Sequence, residues 1–105
     1  MLVLIAEEDD VTRELLVVAA RAGGNTVIAV PDIREAETVI ASHQVDVIIA
    51  DLLILSLANL MRPQARRVLV TSVPNMLTPE ELAQFGVSRV LLKPLSIDVL
   101  RFDET

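Results

Sequence analysis

The sequence contains no cysteine, tryptophan or tyrosine, and Phe85 and Phe102 are its only phenylalanines. Without cysteine there is no disulfide framework, no thiol nucleophile and no cysteine-based zinc site. The single histidine, His43, cannot form a site made of several histidines. With 2% aromatic residues and a net charge of −6, the chain also lacks the stacking rings and the basic field that nucleic-acid binding requires. We therefore expect no direct nucleic-acid partner.

Long apolar runs are missing as well. No segment approaches the roughly 20 apolar residues that cross a bilayer, and the apolar run 1–6 is followed by four acids, Glu7 to Asp10, without the basic flank of a signal peptide. We expect a cytoplasmic protein without a membrane partner. Its 105 residues predict one domain, 1–105, whose core is aliphatic because 52% of the residues are hydrophobic and few of them are rings.

What the sequence does contain is a series of short runs rich in valine, isoleucine and leucine, separated by segments with helical spacing. The predicted strands are Leu2–Ala6, Thr26–Val30, Val45–Ala50, Arg67–Thr71 and Arg89–Leu92. Such continuous apolar runs are typical of parallel strands that are covered on both faces. The pattern predicts an α/β domain of three layers, with a doubly wound, five-stranded parallel sheet.

The helices carry recognisable start and stop signals. A first helix has an apolar stripe and ends at Gly23–Gly24; the stripe contains Val11, Leu15, Val18, Ala19 and Ala22. Asp32 with Glu35, and Thr78 with Pro79 and Glu81, have the pattern of helix N-termini. Ser96 is predicted to cap a short last helix that contains Val99, Leu100 and Phe102.

Chemically active side chains follow the predicted strands at the carboxyl end, where open parallel sheets bind their ligands. They are Glu7 to Asp10 after the first strand, Asp51 after the third, Thr71 and Ser72 after the fourth, and Lys93 with Pro94 after the fifth. Clustered carboxylates that offer only oxygen ligands suit Mg²⁺. A lysine and a hydroxyl beside them can bind phosphoryl oxygens, so the set indicates phosphoryl transfer with Asp51 as nucleophile.

Four runs in this order resemble response regulator receiver domains, the phosphoacceptor modules of two-component signalling. The runs are Val-Leu-Ile-Ala-Glu7-Glu8-Asp9 with Arg13-Glu14-Leu15-Leu16 after it, Asp46-Val-Ile-Ile-Ala-Asp51, Val-Leu-Val-Thr71-Ser72 and Val-Leu-Leu-Lys93-Pro94. They are separated by 43 residues from Glu8 to Asp51 and by 22 from Thr71 to Lys93, and the resemblance covers essentially the whole chain. It implies a flavodoxin-like fold with strand order 2-1-3-4-5.

The resemblance also implies a role for each matching residue. Asp51 would accept the phosphoryl group from a histidine kinase, a phosphotransfer protein or a small phosphodonor. Glu8, Asp51 and the main-chain carbonyl of Leu53 would bind Mg²⁺, with Glu7 acting through a metal-bound water. Thr71 would donate a hydrogen bond to the phosphoryl group with Ser72 beside it, and Lys93 would pair with it. The bond before Pro94 is often cis in this family.

The chain departs from the family pattern at three points. The acid pair is Glu7 with Glu8, where the metal-binding position is most often aspartate; a shift of one residue would pair Glu8 with Asp9, but Arg13 favours the first alignment. Only 19 residues separate Asp51 from Thr71, which predicts a short third helix, and the eleven residues after Pro94 predict a short fifth one. Val90 replaces the aromatic residue that reports phosphorylation in the family.

Three functions remain open. The first is a phosphoacceptor receiver, not an enzyme with a separate substrate, that relays the state of Asp51 to an effector protein through its contacts. The second is a degenerate receiver that serves as an interaction or dimerisation module. The third, a metal-dependent phosphatase, lacks the expected Asp-x-Asp motif.

Three further segments have a structural interpretation. The apolar segment Leu52–Met61 is predicted to be core, with a dimer or partner surface as the alternative. The closely spaced Arg62, Arg66 and Arg67 are predicted to be solvated. His43 is predicted to lie exposed at the end of the second helix.

Overall fold

The computed structural model describes residues 1–61 and 64–96. The elements within these ranges are β1 (Leu2–Ala6), α1 (Asp10–Ala22), β2 (Thr26–Val30), α2 (Ile33–Ser42), β3 (Val47–Ala50), α3 (Leu52–Met61), β4 (Arg66–Thr71), α4 (Pro79–Gln84) and β5 (Val87–Leu92). The five strands form one parallel sheet in the order β2-β1-β3-β4-β5. The predicted fold class and strand order are confirmed. The predicted last helix and its residues Val99, Leu100 and Phe102 lie outside the described residues.

The sheet divides the core into two halves because successive side chains of a strand point to opposite faces. On one face, Val3, Ile5 and Ile49 pack against α1. On the other face, Leu4, Ile48 and Leu69 pack against α2 and α3. The central strand β3 is buried along its whole length, as its unbroken apolar run predicts.

Helix α1 buries a stripe that overlaps only in part with the one that the spacing predicted. Its buried residues are Leu16, Val17, Ala19 and Ala20. Of the predicted stripe, Ala19 is buried and Leu15 packs against the core, but Val11, Val18 and Ala22 are exposed, so the prediction was wrong at these three. The helix is apolar on two overlapping stripes, and its spacing alone does not distinguish them.

Helix ends follow the predicted signals. Gly23 is the C-cap of α1, and Gly24 has a φ of 85°, which glycine adopts without a steric penalty. Asp32 accepts a hydrogen bond from the Glu35 N–H at the start of α2. The α4 N-terminus has a complete capping box, in which Thr78 and Glu81 exchange backbone and side-chain hydrogen bonds.

The ten residues of α3 equal the length of α2 and fall three short of α1. Its apolar residues are only partly core, as predicted, and the alternative of a partner surface stays a prediction. Ile54, Leu55 and Ala58 are buried in the core, while Leu53 and Leu60 are exposed. The helix therefore packs through one stripe and presents leucines to solvent on another.

Two other structural predictions have different outcomes. His43 is exposed at the end of α2, as expected, with its Nδ1 atom 2.9 Å from the Ser42 hydroxyl. Arg67 was expected to be solvated, and this was wrong: it is only 3% exposed, and its guanidinium lies against Gly86. Burial lowers the pKa of Arg67 below its usual range. Arg66 is exposed, and Arg62 lies outside the described residues.

The two halves of α3 make a matched test of its packing. We expect Leu55→Ala to reduce the free energy of unfolding by about 2–5 kcal/mol, because Leu55 is fully buried and its loss leaves a cavity. Leu60→Ala is the same substitution in the same helix at a site that is 83% exposed, and it should change stability by less than about 0.5 kcal/mol. Urea unfolding of both variants checks this, and similar losses would contradict the assigned burial of α3.

Candidate functional site

A cavity of about 410 Å³ opens at the carboxyl edge of the sheet. It is lined by all seven residues to which the resemblance assigns a part in the site: Glu7, Glu8, Asp51, Leu53, Thr71, Ser72 and Lys93. These residues come from four strand ends that are separated in the chain but adjacent at this edge. The parallel topology therefore brings the predicted carboxylates, hydroxyls and lysine together in one place.

The innermost polar contact of the cavity joins Glu7 to Lys93. The Glu7 side chain is buried, and both of its carboxylate oxygens lie 3.0 Å from the Lys93 ammonium. The Asp9 N–H donates to Glu7 Oε2 at 2.9 Å, and the Glu7 N–H donates to the Val30 carbonyl oxygen at 3.1 Å. A buried carboxylate needs such partners to offset its loss of hydration. Glu7 thereby fixes the lysine at the wall of the cavity.

Asp51 lies at the junction of β3 and α3 and is exposed. Its Oδ1 atom accepts a hydrogen bond from the Ile54 N–H at 3.0 Å, so the carboxylate also caps the N-terminus of α3. The helix dipole favours negative charge at this position. Asp51 is therefore held in place by its own helix while its side chain remains accessible from the cavity.

The turn after β1 divides its four acids among different tasks. Glu7 and Glu8 line the cavity, whereas Asp9 caps α1 by accepting from the Thr12 N–H at 2.7 Å. Both acids of the predicted pair therefore lie at the cavity, and Asp9 does not line it. Asp10 neither lines the cavity nor caps the helix: it is the first residue of α1 and pairs with Arg13. The cap lies one residue earlier because Asp9 retains the extended backbone that a cap requires.

The hydrogen bonds from Thr12 lower the pKa of Asp9, with smaller contributions from the positive charges of Lys93 and Arg13. Arg13 also donates to the Glu7 carbonyl oxygen at 2.9 Å. The acidic turn is therefore tied to α1 by one arginine and one capping carboxylate. This arrangement leaves Glu8 exposed at the rim.

A backbone hydrogen bond joins the ends of β4 and β5. The Lys93 N–H donates to the Thr71 carbonyl oxygen at 2.9 Å, and the Lys93–Pro94 peptide bond is cis, as the resemblance implied. The Thr71 hydroxyl is nearly buried, whereas Ser72 is exposed. One hydroxyl and one ammonium group are thus presented from neighbouring strands.

The donor set is suitable for Mg²⁺, although its carboxylates are not gathered around one point. In residues 1–61 and 64–96, no group of three acidic, histidine or cysteine side chains converges closely enough to hold a metal. Glu7 is engaged by Lys93. Of the exposed acids that line the cavity, Glu8 and Asp51 are the two to which the resemblance assigns the metal, and Asp32 is a third. Mg²⁺ commonly uses one or two carboxylates and several waters, so these two acids fit its chemistry.

Other residues that line the cavity were not anticipated. Asp32 and Ile33 border it from the β2–α2 connection, and Met76 borders it from the loop after β4. Asp32 follows the second strand, so a strand-end analysis that included β2 would have found it. Met76 lies five residues beyond its strand and is apolar, and no sequence signal marks it.

Among the described residues, no helix has the length and apolar composition needed to span a membrane. No protein-family model and no curated protein matches this chain. Solved structures do match it. A two-component response regulator from Clostridium difficile superposes with a TM-score of 0.79 at 18% identity, over 95% of this chain and 88% of that one.

Two further solved structures agree with this comparison. The chemotaxis response regulator CheY4 of Vibrio cholerae gives a TM-score of 0.79 at 21% identity, over 94% of this chain and 91% of that one. The response regulator TrrA of Thermotoga maritima, solved in complex with Mg²⁺ and BeF, gives 0.75 at 18% identity, over 92% and 90% of the two chains. The fold of this chain is the flavodoxin-like fold of receiver domains.

The capping role of Asp9 predicts a pH dependence. Its pKa in the folded chain lies below the ordinary value of 3.8, so its stabilising effect is present above that value and is lost as the pH falls through the folded pKa. We expect Asp9→Asn, which keeps a capping side chain but removes the charge, to be less stable than the wild type at pH 7. The difference should shrink below about pH 4.

Chemical unfolding between pH 7 and pH 2.5 measures this difference. Glu37→Gln, which removes an exposed carboxylate from α2, provides the baseline for loss of one charge. A gap between wild type and Asp9→Asn that stays constant over this range would contradict the charge contribution of the cap.

Proposed function

We propose that this chain, whose fold is that of receiver domains, accepts a phosphoryl group on Asp51 and relays the change through its protein contacts. The observation that carries the proposal is the composition of one cavity: an exposed carboxylate at the end of β3 faces the same space as the Thr71 hydroxyl and the Lys93 ammonium. These are the groups that a transferred phosphoryl group requires: a nucleophile, a hydrogen-bond donor and a positive charge. The whole chain 1–105 would form this phosphoacceptor unit.

The proposed transfer is a displacement at phosphorus. A carboxylate oxygen of Asp51 attacks the phosphorus atom, an acyl-phosphate bond forms, and the bond between phosphorus and the donor breaks with its electron pair leaving on the donor. Lys93 and Thr71 stabilise the negative charge on the phosphoryl oxygens. Glu7 acts as a positioning residue because it holds the Lys93 ammonium beside the cavity.

Mg²⁺ would be held by Glu8, Asp51 and the main-chain carbonyl of Leu53, with Glu7 contributing through a water. The ion supplies charge neutralisation for the phosphoryl oxygens when it is bound. Glu8 is exposed at the rim and makes no contact with Lys93 in the structure, so it can serve a cation without disrupting the buried pair.

The partners follow from this chemistry. A histidine kinase or a phosphotransfer protein would supply the phosphoryl group, which implies a cytoplasmic site of action. A downstream effector protein, or a second copy of this chain in a homodimer, would respond to the altered surface. The chain acts on no separate substrate in this scheme, so its only chemistry is gain and loss of its own phosphoryl group.

Phosphorylation by a small donor tests the proposal directly. With acetyl phosphate and Mg²⁺, we expect the intact protein to gain the mass of one phosphoryl group, and hydroxylamine should remove it because an acyl phosphate is labile to that nucleophile. Asp51→Asn should abolish the gain. Asp32→Asn is the matched control, because Asp32 lines the same cavity and is also a helix cap that asparagine can replace.

An equal loss of labelling in both variants would exclude Asp51 as the specific acceptor. Absence of labelling in the wild type, both by acetyl phosphate and by a purified histidine kinase at millimolar Mg²⁺, would favour the degenerate receiver, which acts through contacts alone. The structure offers that alternative an apolar surface through the exposed Leu53 and Leu60 of α3.

The proposed Mg²⁺ site predicts that Glu8 is a metal ligand. We expect Glu8→Gln to weaken Mg²⁺ binding about tenfold, equivalent to about 1.4 kcal/mol, through the loss of one negatively charged ligand. Glu14→Gln, an exposed α1 residue that does not line the cavity, should retain wild-type affinity. Magnesium titrations followed by NMR measure both, and equal affinities in the two variants would remove Glu8 from the metal site.

A further inference from the structure

A second cavity of about 240 Å³ adjoins the first. It lies between the ends of β4 and β5, the loop after β4 and α4, and its lining is almost entirely apolar, including Leu69, Leu82, Val90 and Leu92. Three residues line both cavities: Thr71, Val73 and Met76. The wall between the acidic site and the apolar cavity is therefore made of a threonine, a valine and a methionine.

The Thr71 hydroxyl has two partners in this wall. It accepts a hydrogen bond from the Val73 N–H at 3.1 Å and donates its single proton to Met76 Sδ at 3.6 Å. A hydroxyl has only one proton to donate. A phosphoryl oxygen on Asp51 and the Met76 sulfur would therefore compete for the same donor.

The two acceptors differ greatly in strength. A thioether sulfur is a weak acceptor, and a charge-assisted hydrogen bond to an ionised oxygen is roughly twice as strong as a neutral one. We therefore expect the Thr71 hydroxyl to donate its hydrogen bond to the phosphoryl group, instead of to Met76, whenever a phosphoryl group is present. Met76 would then lose its polar contact with the wall.

Met76 is able to move when that contact is lost. Methionine is unbranched and has three rotatable bonds, so it fills irregular apolar spaces readily. Met76 is 44% exposed, and the residue before it, Asn75, has a positive φ of 56° and also lines the second cavity. The small side chain of Val90, where the family carries a ring, leaves the neighbouring space open.

We propose that Met76 reports the state of Asp51. While Asp51 is free, the Met76 sulfur accepts a hydrogen bond from the Thr71 hydroxyl. Phosphorylation of Asp51 breaks this bond and releases the Met76 side chain into the apolar cavity beside Val90. This inference rests on the proposed function and assigns it a switching residue. The altered surface would be the loop 73–76 together with β5, where four apolar residues are exposed: Val73, Met76, Val90 and Leu92. An aromatic ring on β5 is not required in this mechanism.

Methyl NMR provides the test because the chain has only three methionines, at positions 1, 61 and 76. The protein is labelled with methyl-¹³C methionine and titrated with Mg²⁺ and beryllium fluoride, which mimics a phosphoryl group on a carboxylate. We expect the Met76 methyl signal to move and to gain cross-peaks with the Val90 methyls. The Met61 signal, from a residue that packs in the core on α3, should stay in place.

Variants of Thr71 separate the switch from simple proximity to the added ligand. Thr71→Val keeps the shape of the side chain but removes the proton, so the Met76 signal of the free protein should already lie near its beryllium fluoride position. Thr71→Ser keeps the hydroxyl and should restore the wild-type position. A Met76 signal unmoved by Thr71→Val would overturn the proposal.

Affinity gives an independent readout. Met76→Leu removes the competing acceptor at similar volume, and we expect it to tighten beryllium fluoride binding about threefold, in line with the modest net strength of a neutral hydrogen bond. The same substitution in a Thr71→Val background should have no effect, because the two changes are coupled. Equal effects of Met76→Leu in both backgrounds would contradict the competition.

The two proposals fail in different ways. If beryllium fluoride causes no change in any backbone signal near Asp51, the phosphoacceptor function is excluded, and the switch is excluded with it. If those signals change and are lost in Asp51→Asn, while the Met76 methyl of the wild type does not move, only the switch is excluded.

Discussion

The buried ion pair between Glu7 and Lys93 is the contact on which the rest of the candidate site depends. It connects the end of β1 to the end of the edge strand β5, across β3 and β4, on the carboxyl side of the sheet. A carboxylate with so little exposure is tolerated only when a cation and further hydrogen bonds replace its hydration, and Lys93 with the Asp9 N–H supplies them. Because Lys93 is paired with Glu7, it stays at the cavity that Asp51 also lines. Structural stability and the placement of a positive charge in the cavity are therefore the same requirement.

The glutamate at position 7 suits this task because its side chain is one methylene longer than that of aspartate. It reaches the lysine with both oxygens while its backbone remains in the turn after β1 and donates to Val30. The consequence is a division of labour among the acids. One carboxylate is committed to the protein, Asp9 is committed to the α1 cap, and Glu8 and Asp51 remain exposed. These four carboxylates are not gathered around one point, so the repulsion between them is limited.

The sequence predicted the sheet and the contents of the cavity well, for a physical reason. Parallel strands buried on both faces need unbroken runs such as Val47 to Ala50, and their carboxyl ends must meet at one edge, so residues such as Asp51 and Lys93 were placed together by topology alone. Predictions that needed three-dimensional contacts fared less well. Two stripes of α1 compete for the sheet, and apolar spacing cannot rank them. Arg67 is buried with its guanidinium close to Gly86, just before the neighbouring strand, and no local pattern encodes such a contact between strands.

In the proposed function, Val90 stands at the position where the resemblance to receiver domains implies an aromatic residue, so the proposed signal needs another moving part. An aromatic ring on β5 would signal by rotating as a rigid body. The short side chain of a valine cannot make such a movement, so another side chain has to move instead. The wall shared by the two cavities contains such a part in Met76, whose contact with Thr71 is weak and whose side chain is flexible. A weak contact is an advantage at this position. Since a switch must be reversed when the phosphoryl group is lost, the resting hydrogen bond has to be strong enough to define one position and weak enough to be displaced by an ionised oxygen.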